Sequence, residues 1–572
     1  MANKRNAVIE PPGPWRVQLV LGTFALFAVI LAGRALYLQV LDQDFLASEG
    51  AKRHVRTLTV PAGRGAILDR RGEPLALSAP VESVWAVPGE VLANPDRIPQ
   101  LAKLLGLSAQ ELKAGLEKRA ERSFMYLRRQ MTPAAARRVK ALAVPGVFLQ
   151  REYRRFYPAA EAAAQLVGYT NIDNQGQEGI ELALEQTLHG EPGSRRVIKD
   201  LAGRVVEDLA EFDAPQPGDD IHLSIDLRVQ YLAYRELKAM VEAENADGGV
   251  MVVVDPATGE VLALASYPSF NPNRREGADM DGHRQRAAVD TFEPGSTVKP
   301  LVVAAGMEAG LFNRNTIIPT HGTWPVGRLL VRDFRNYGDM DLGRLLMKSS
   351  NVGAAKIGMT LGAERLYNAY RSFGFGEPSG IGFPGESDGV LRDHYSWGDI
   401  ATATSSYGYS MSVTGLQLVR SYLPLATDGL MRPLSILKLD TVPEGKQVLS
   451  AATSRQIREY LEAVVTPTGT ARRAAIEGYV VAGKTGTVRK VGVGGYKHKR
   501  HQSMFVGMVP SDEPRLLAMV MVDEPRGKEY YGGAIAAPVF REVLKDSLRM
   551  LQIPPQQLPE TVTASGPQGP RS

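Results

Sequence analysis

The sequence predicts a membrane-anchored protein of the mixed α+β class: a single N-terminal transmembrane helix, a mixed α/β domain, and a second domain with a central antiparallel β-sheet flanked by helices. Three observations support this prediction. The first 41 residues contain a long apolar run, residues 50–218 mix strand-like and helical patterns, and residues 221–550 have β-rich hairpins at both ends. At 572 residues, the chain is also too long for one ordinary hydrophobic core.

Composition excludes several classes of protein. With 44% hydrophobic and 23% charged residues, the chain has the composition of a globular protein. A net charge of +5, without a concentrated basic patch, gives no reason to expect nucleic-acid binding. The sequence contains no cysteine, which excludes disulfide bonds, thiolate nucleophiles and cysteine metal sites, and suits an oxidising compartment.

The N-terminal apolar run has the length of a membrane-spanning helix. Residues 17–33 have only two polar side chains, and the pattern resumes after Arg34 as ALYLQVL, so the predicted helix covers residues 17–41. Because no small-x-small cleavage site follows, a retained anchor is favoured over a cleaved signal peptide. Lys4, Arg5 and Arg16 precede the helix, so the positive-inside rule places residues 1–16 in the cytoplasm as a short tail.

The first domain after the membrane is predicted to be a scaffold over residues 50–218. Charged helices such as LAKLLGLSAQELKAGLEKRAER (101–122) have leucines at helical spacing. The segment from Arg64 to Gly72 has a glycine near each end, which indicates a strand bounded by turns and not a site. Pro217-Gly218 marks the predicted domain boundary, and the Pro- and Gln-rich residues 551–572 are predicted to be a disordered tail.

The second domain, residues 221–550, is predicted to contain the antiparallel sheet. A helical pattern over residues 226–244 is followed by two β-rich runs, Val250–Val254 and Val261–Ala265, with a turn between them. A second hairpin is predicted from residues 503–510 and 514–522. Because the chain between these hairpins is mostly helical, we expect the strands from the two ends to pair in one sheet.

The stretch FEPGSTVKP, residues 292–300, presents a hydroxyl and an amine together. Ser296 and Lys299 are three positions apart at the start of a predicted helix, so their side chains share a face. A lysine can take the proton of a serine only if burial or a nearby positive charge lowers its pKa. This short pattern by itself also fits an exposed helix start.

Two further motifs make the pattern specific. Ser349-Ser350-Asn351 and Lys484-Thr485-Gly486-Thr487 follow in order, and Ser-x-x-Lys, Ser-x-Asn and Lys-Thr-Gly are the motif set of serine β-lactamases and penicillin-binding proteins. With RGAILDRRGEPLA (64–76), EGIE (178–181), SSYGYSMSVTGLQL (405–418) and YVVAGKTGT (479–487), the chain resembles a class B penicillin-binding protein of the FtsI type, the septal peptidoglycan transpeptidase.

This resemblance implies roles for eight residues. Ser296 is the implied nucleophile, which forms an acyl-enzyme with the penultimate D-Ala of a stem peptide, and Lys299 its general base, kept partly neutral by Lys484. Ser349 is the implied proton relay and Asn351 the group that holds the substrate backbone. Lys484, Thr485 and Thr487 suit the donor carboxylate, Gly486 allows close approach to substrate, and the N–H groups of Ser296 and Thr487 form the implied oxyanion hole.

The sequence implies neither a metal site nor a cofactor. Of eight histidines, only His498 and His501 are close together, and we interpret their segment, KHKRH, as a solvated loop. The glycines of residues 492–495 lack the lysine and hydroxyl of a phosphate-binding loop. Glu293, near the nucleophile, is interpreted as a salt-bridge partner and not as a catalytic acid.

Three alternatives share part of the pattern. A β-lactamase has the same motifs but hydrolyses its acyl-enzyme, and a large tethered scaffold is unexpected for it. A β-lactam sensor or pseudoenzyme would need a signalling domain or a broken motif set. An elongation-type class B transpeptidase shares all the catalytic motifs. The chain departs from the family at TPTGTARRA (466–474) and at Gln165, where relatives often have His.

The resemblance also implies partners and a location. The substrates are peptidoglycan and glycan strands derived from lipid II, and β-lactams are covalent inhibitors. Because no glycosyltransferase motif is apparent in residues 50–220, an FtsW-type glycosyltransferase is the implied partner, together with other division proteins. The chain is expected in the bacterial inner membrane at the division septum, as a single-pass protein with its N-terminus inside and its catalytic domain in the periplasm.

Overall fold

The computed structural model describes residues 13–42, 55–199, 205–274, 280–492 and 495–556. The strands are β1 (Val55–Val60), β2 (Ile67–Leu68), β3 (Pro74–Ala86), β4 (Met125–Met131), β5 (Val147–Phe156), β6 (Gly193–Lys199), β7 (Val205–Asp213), β8 (Ile221–His222), β9 (Gly248–Val254), β10 (Val261–Tyr267), β11 (Ile318–Pro319), β12 (Thr323–Val326), β13 (Leu329–Arg332), β14 (Asp339–Met340), β15 (Leu430–Met431), β16 (Lys446–Gln447), β17 (Ala482–Gly492), β18 (Gly495–Val509) and β19 (Leu516–Asp523).

The α-helices are α1 (Pro14–Leu36), α2 (Pro88–Leu92), α3 (Ile98–Leu105), α4 (Ala109–Glu117), α5 (Pro133–Ala141), α6 (Ala164–Val167), α7 (Gly179–Ala183), α8 (Glu185–Leu188), α9 (Leu227–Ala243), α10 (Arg286–Val289), α11 (Lys299–Glu308), α12 (Leu342–Lys348), α13 (Asn351–Leu361), α14 (Ala363–Ser372), α15 (Asp399–Ser405), α16 (Gly415–Ser421), α17 (Leu423–Ala426), α18 (Ala451–Val465) and α19 (Gly532–Met550).

The N-terminal helix has the character of a membrane anchor. Helix α1 continues as a π-helical turn over Tyr37–Leu41, close to the predicted residues 17–41. The stretch is long and apolar enough to cross a membrane, and none of α1 is buried against the rest of the protein. The guanidinium of Arg34 lies 5.2 Å from the centre of the Tyr37 ring, in the position expected near a membrane interface.

The chain forms two compact units. The first contains residues 1–62, 82–151 and 191–217, and the second contains residues 63–81, 152–190 and 218–572. Residues 63–81 and 152–190 precede the boundary predicted near residue 218, yet they belong to the second unit.

The first unit packs short helices on a small sheet. Val84 and Ala86 of β3 and Met131 of β4 share one hydrophobic core with side chains of α2 to α5. The predicted helical segment 101–122 forms two helices and not one continuous helix, because Gly106 adopts a left-handed conformation with φ +67° at the end of α3. A reciprocal capping box of Ser108 and Glu111 then starts α4.

A five-stranded antiparallel sheet forms the centre of the second unit. Its strand order is β10-β9-β19-β18-β17, so β9 from one end of the predicted domain pairs directly with β19 from the other. This confirms the expected pairing of the two hairpins. Every residue of β9 and of β19 is buried, because helices pack against the sheet. Strand β17 lies at one edge of the sheet.

Helices hold the sheet and the elements around it. Helix α9 begins at the N-cap Asp226, whose carboxylate accepts the Arg228 N–H, and it packs against β9, β10 and α19. The described chain continues into the predicted tail as far as Gln556. Within this stretch, Ile553 O accepts a hydrogen bond of 2.6 Å from Tyr479 Oη. Residues 557–572 lie outside the described part, as do residues 1–12 of the predicted cytoplasmic tail.

A buried ion-pair network joins three N-terminal segments of the second unit. Glu181 of α7 accepts from Arg64 Nε and from Arg155 Nε, each at 2.6 Å, and all three side chains are almost completely inaccessible to solvent. Arg64 also contacts Glu185 at 2.6 Å. The segment that begins at Arg64 therefore has a structural role, although its strand, β2, is only two residues long.

Replacing Glu181 by Gln leaves the buried guanidinium of Arg155 without its charged partner and that of Arg64 with Glu185 alone, and we expect a loss of about 3 to 5 kcal/mol of unfolding free energy. Thermal and denaturant unfolding of the full-length protein in detergent measure this loss. Glu117→Gln is the matched control, because Glu117 pairs with Lys113 on the surface. An equal response of the two variants would contradict the structural role of the network.

Candidate active site

The turn that carries Ser296, here called the nucleophile turn, begins with a backbone conformation that favours glycine. Ser296 lies in the 3₁₀ turn Gly295–Val298, and Lys299 is the first residue of α11. Gly295 has φ +54°, and a Cβ there would lie 2.3 Å from Val488 Cγ1. On the other side, Tyr422 Oη donates to Thr297 O at 2.5 Å. The turn is thus fixed between β17 and Tyr422, the residue that follows α16.

The segment SSYGYSMSVTGLQL supports this turn. Gly408 has φ +85°, and a Cβ there would lie 2.0 Å from Gly295 O. Gly295 N donates to Gly408 O at 3.0 Å, and the backbones of Phe292 and Val413 exchange two hydrogen bonds of 2.9 and 3.0 Å. The sequence motif therefore positions the lead-in to Ser296 and is not part of the reactive set.

The second motif surrounds the amine of Lys299. Lys299 Nζ lies 2.6 Å from Ser349 O, 2.7 Å from Asn351 Oδ1 and 3.2 Å from Ser349 Oγ. The carbonyl and the amide oxygen can only accept hydrogen bonds, so they take two N–H donors. In a neutral amine, those two donors leave the lone pair free to accept a proton.

The conformation of Ser349 creates this arrangement. Ser349 ends α12 in a left-handed conformation with φ +59° and ψ +45°, and Ser350 then caps the N-terminus of α13. A non-glycine residue in this region costs roughly 1 to 3 kcal/mol and persists where its surroundings impose it. The result is that the tight turn between α12 and α13 presents Ser349 and Asn351 to Lys299.

Lys484 of β17 completes the cluster. Its Nζ donates to Ser349 Oγ at 2.9 Å and to Thr485 O at 3.1 Å, so the Ser349 hydroxyl lies between two buried amines. Burial lowers the pKa of Lys484 to about 7. Burial and the charge of Lys484 lower the pKa of Lys299 well below its usual range, and Asp333 acts in the opposite direction. Two ammonium groups this close cannot both be charged at neutral pH without a large penalty.

The rest of the third motif also lies on β17, the edge strand of the sheet, where Thr485 and Gly486 are buried and Thr487 is partly buried. Thr485 Oγ1 contacts Thr470 Oγ1 at 3.0 Å, and Thr487 Oγ1 accepts the Gly532 N–H at 3.0 Å. Thr470 belongs to the unusual segment TPTGTARRA, which thus contacts the predicted carboxylate-binding threonine. At Gly486, a Cβ would lie 2.9 Å from Thr297 Cγ2. This glycine lets β17 approach the nucleophile turn, a reason the sequence did not indicate.

Asp333 is a residue that sequence reasoning missed. It follows β13, and its carboxylate accepts the backbone N–H of Asn351 at 2.6 Å, the N–H of Val352 at 3.0 Å and the Ser350 hydroxyl at 2.7 Å. Asp333 thus holds the start of α13. No local pattern marks it, because its contacts arise only when β13 and α13 come together.

Three further sequence predictions concern Glu293, Gln165 and the KHKRH segment. Glu293 Oε1 accepts the N–H of Ser410 at 3.2 Å. Gln165 donates to Pro268 O and Gly282 O, each at 2.8 Å, and so joins two loops in the core. The loop predicted around His498 and His501 is wrong, because both residues lie in β18, which continues the hairpin, and His501 stacks on Tyr530 with the ring centres 4.1 Å apart.

The eight predicted site residues come from three parts of the chain, all in the second unit, and Lys299, Ser349, Asn351 and Lys484 form one hydrogen-bonded cluster. The half-buried Ser296 lies one turn before the buried Lys299, whose amine has a lowered pKa. The Ser349 hydroxyl bridges the amines of Lys299 and Lys484. This arrangement suits nucleophilic attack by a serine with a lysine as base. Within the described residues, no group of three His, Asp or Glu side chains could hold a metal ion.

Comparison with known families identifies two domains. The model of the penicillin-binding protein transpeptidase domain matches residues 249–545, and the model of the penicillin-binding protein dimerisation domain matches residues 59–223. The first match contains all three motifs. The second covers most of the predicted scaffold.

Several relatives match nearly the whole chain. The peptidoglycan D,D-transpeptidase FtsI of Escherichia coli K12 is 40% identical over 549 residues, which cover 95% of this chain and 93% of that protein. The probable peptidoglycan D,D-transpeptidase PenA of Neisseria meningitidis serogroup A is 40% identical and covers 94% of this chain and 93% of its own length.

Solved structures share the fold. The transpeptidase domain of Burkholderia pseudomallei penicillin-binding protein 3 is 40% identical with a TM-score of 0.55, and covers 59% of this chain and 98% of that one. A peptidoglycan synthetase from Bifidobacterium adolescentis has a TM-score of 0.71 at 24% identity, and covers 88% of this chain and 98% of that one. The second likeness concerns the fold alone.

Gly408→Ala should abolish or strongly slow acylation of Ser296, because the added methyl group would clash with Gly295 O and displace the nucleophile turn. The rate of covalent labelling by a fluorescent penicillin measures this effect. Gly310→Ala is the control: Gly310 also has positive φ, but no atom lies within 4 Å of the added Cβ. Normal labelling of Gly408→Ala would show that the contact is dispensable.

Lys484→Met should stabilise the fold while it impairs acylation. The unfolded chain protonates this amine near pH 10.5 and the folded protein near pH 7, so the unfolded state binds more protons between these values. Wild-type stability should therefore fall, relative to the variant, by up to about 1.4 kcal/mol per pH unit as pH decreases through this window, and then level off below pH 7.

Unfolding of the full-length proteins in detergent from pH 6 to pH 10 measures this difference. Lys545→Met, at an exposed position on α19, is the control and should follow the wild type at every pH. A constant difference between Lys484→Met and wild type would contradict the lowered pKa of Lys484.

Proposed function

From the premise that this chain belongs to the penicillin-binding protein transpeptidases, as a class B member of the FtsI type, we propose that it cross-links the stem peptides of peptidoglycan during septal wall synthesis. It is an enzyme, a peptidoglycan D,D-transpeptidase. The observation that supports the proposed chemistry best is the Ser349 hydroxyl, which lies 3.2 Å from the amine of Lys299 and 2.9 Å from that of Lys484. These two contacts join the three motifs.

Acylation is the first half of the proposed reaction. Ser296 Oγ attacks the carbonyl carbon of the penultimate D-Ala, and its proton passes to the neutral amine of Lys299. The C–N bond to the terminal D-Ala then breaks, and the leaving amine receives a proton through Ser349. Because Ser349 contacts both lysines, it can pass a proton between them without entry of bulk water.

Transfer to the acceptor is the second half. The amine of a second stem peptide attacks the acyl-enzyme carbonyl and gives up a proton to Lys299. The bond to Ser296 Oγ breaks, and the serine recovers its proton. The product is an amide cross-link, and the enzyme is regenerated without a cofactor.

The remaining site residues bind the substrate in this proposal. Asn351 holds the donor backbone, and Lys484, Thr485 and Thr487 hold its terminal carboxylate. The backbone N–H groups of Ser296 and Thr487 stabilise the oxyanion that forms during attack, and one such donor is worth roughly 2.7 to 4 kcal/mol. Gly486 brings the two donors together, since its lack of a side chain lets β17, which carries Thr487, lie against Thr297, which follows Ser296.

The setting of the enzyme follows from its anchor and its relatives. We propose a cytoplasmic tail (1–16), a transmembrane helix (17–41), a scaffold domain (50–218) and a periplasmic transpeptidase domain (221–550), in the inner membrane at the septum. The substrate strands derive from lipid II, and an FtsW-type glycosyltransferase supplies them, with other division proteins as partners. β-Lactams acylate Ser296 in place of the stem peptide.

Ser296→Ala should abolish covalent labelling by penicillin, because no other nucleophile occupies this position. Intact-mass analysis of full-length wild type and variant in detergent, first with penicillin and then with a D-Ala-D-Ala stem peptide and an amine acceptor, measures both halves of the reaction. The wild type alone should carry a slowly reversed adduct and form the amide product.

Each other outcome contradicts a specific part of the proposal. Rapid loss of the adduct to water would indicate a β-lactamase, and an adduct on Ser296→Ala would refute the nucleophile. A stable adduct without amide product would indicate a sensor. Depletion in cells separates division from elongation, since loss of a septal enzyme gives filaments and loss of an elongation enzyme gives round cells.

A further inference from the structure

The β12–β13 hairpin has one buried face and one exposed face. Val326 and Val331 are buried, and they share one hydrophobic cluster with side chains of α13 and α15. Because successive residues of a strand point to opposite faces, Leu330 and Arg332 lie on the other side, where Leu330 is 41% exposed. The inner face therefore attaches the hairpin to the catalytic unit, and the outer face meets solvent.

Three arginines lie on the outer face and at its two ends. Arg328 is in the turn of the hairpin, Arg332 is on β13, and Arg335 follows the strand; all three are exposed. Within the described ranges, none of these guanidinium groups pairs with a carboxylate, and that of Arg335 lies 5.3 Å from the centre of the Tyr337 ring. The carboxylate of Asp333 binds the start of α13 instead. The outer surface thus carries an excess of positive charge.

This surface begins at the active site. Asn351 Nδ2 donates to Arg332 O at 3.0 Å, and Asn351 Oδ1 lies 2.7 Å from Lys299 Nζ. One amide group therefore separates the backbone of β13 from the proposed general base. In the proposed function, Asn351 holds the backbone of the donor, so the donor residues that precede D-Ala-D-Ala lie within reach of the hairpin.

The donor has the charge that complements this surface. In a stem peptide, D-glutamate precedes the D-Ala-D-Ala end and carries a free carboxylate. A guanidinium binds a carboxylate through two parallel N–H groups, and an exposed arginine without a carboxylate partner can do so without first breaking another ion pair. An acidic peptide is thus the ligand whose charge fits this surface.

We propose that the outer face of the β12–β13 hairpin binds the acidic part of the donor stem peptide, with Arg328, Arg332 and Arg335 contacting the carboxylate that precedes D-Ala-D-Ala. This inference deepens the proposed function and rests on the proposed position of the donor at Asn351. The hairpin recognises the charge of the stem peptide, and the three catalytic motifs act on its D-Ala-D-Ala end.

Two peptides separate the charge of the donor from its shape. One is a fluorescently labelled stem pentapeptide that contains D-glutamate and ends in D-Ala-D-Ala, and the other has D-isoglutamine in place of D-glutamate, so a neutral carboxamide replaces the carboxylate. Fluorescence anisotropy gives their Kd values for the full-length Ser296→Ala protein in detergent, where binding is measured without turnover. We expect the D-glutamate peptide to bind about two- to fivefold more tightly, the usual contribution of an exposed ion pair, and the preference to shrink at high salt.

Substitutions in the Ser296→Ala protein assign this preference to the hairpin. Replacing Arg328, Arg332 and Arg335 together by Gln should make the two Kd values equal. Arg332→Gln alone should reduce the preference, and it serves as the second variant if the triple variant does not fold. Arg365→Gln is the matched control for Arg332→Gln: Arg365 is exposed on α14, and it too has no carboxylate partner in the part of the chain that the structure describes. This control should keep the full preference.

Several results would show that the inference is wrong. They are equal Kd values for the two peptides before any arginine is replaced, a preference that the triple variant retains, and an equal loss of affinity for both peptides, which would indicate an effect of shape and not of charge. An equal effect of Arg365→Gln would assign the preference to net charge alone. If stem tripeptides, which lack D-Ala-D-Ala, show the same hairpin-dependent preference, the surface does not serve the donor.

Failure of the proposed function has a separate signature. In that case, the protein with Ser296 intact would release no D-Ala from either pentapeptide, while the preference in binding and its loss in the triple variant persist. The binding site would then stand, and the proposed reaction would be wrong.

Discussion

The organisation of the catalytic unit depends on one electrostatic constraint: two lysine amines must be buried around a single serine hydroxyl. Lys299 and Lys484 are both fully buried, and each amine lies within 3.2 Å of Ser349 Oγ. Burial alone disfavours the charged form of each amine, and each charge disfavours the other. The site therefore favours a neutral amine near neutral pH, which is the form that can accept a proton. The packing of the unit around the two lysines offsets the free-energy cost of burying their amines.

That packing explains why the motifs are carried by elements so far apart in the chain. The nucleophile turn, the α12–α13 turn and β17 each contribute one part, and glycines remove the side chains that would keep them apart. Gly295 faces Val488, Gly408 faces the Gly295 backbone, and Gly486 faces Thr297. Asp333 and the left-handed Ser349 fix the remaining part. The positions of the predicted reactive groups thus depend on backbone contacts made by neighbouring residues.

The sequence was informative where chemistry or periodicity is local. The anchor, the two hairpins and helix α9 follow from patterns within short windows, and the three motifs predict the reactive residues because residue types and order are fixed. Asp333 could not be found in this way, since its carboxylate acts on residues 17 to 19 positions further along the chain. The helical segment 101–122 was interrupted by one glycine at φ +67°, and the interpretation of KHKRH as a loop underestimated how far β18 extends. The membership of residues 63–81 and 152–190 in the second unit depends on contacts such as those of Arg70 N with Ile225 O and of Gln165 with Pro268 O, which spacing does not reveal.

The contact between Gly295 and Gly408 also limits how this enzyme can evolve under antibiotic pressure. Because the two residues meet through backbone atoms, no substitution at either position adjusts the nucleophile gradually: any side chain at Gly408 would overlap Gly295 O. Heritable changes that discriminate between a β-lactam and a stem peptide must therefore arise in residues with side chains to vary, such as those of the segment 466–474 beside Thr485. The turn that carries Ser296 is thereby among the least adaptable parts of the protein.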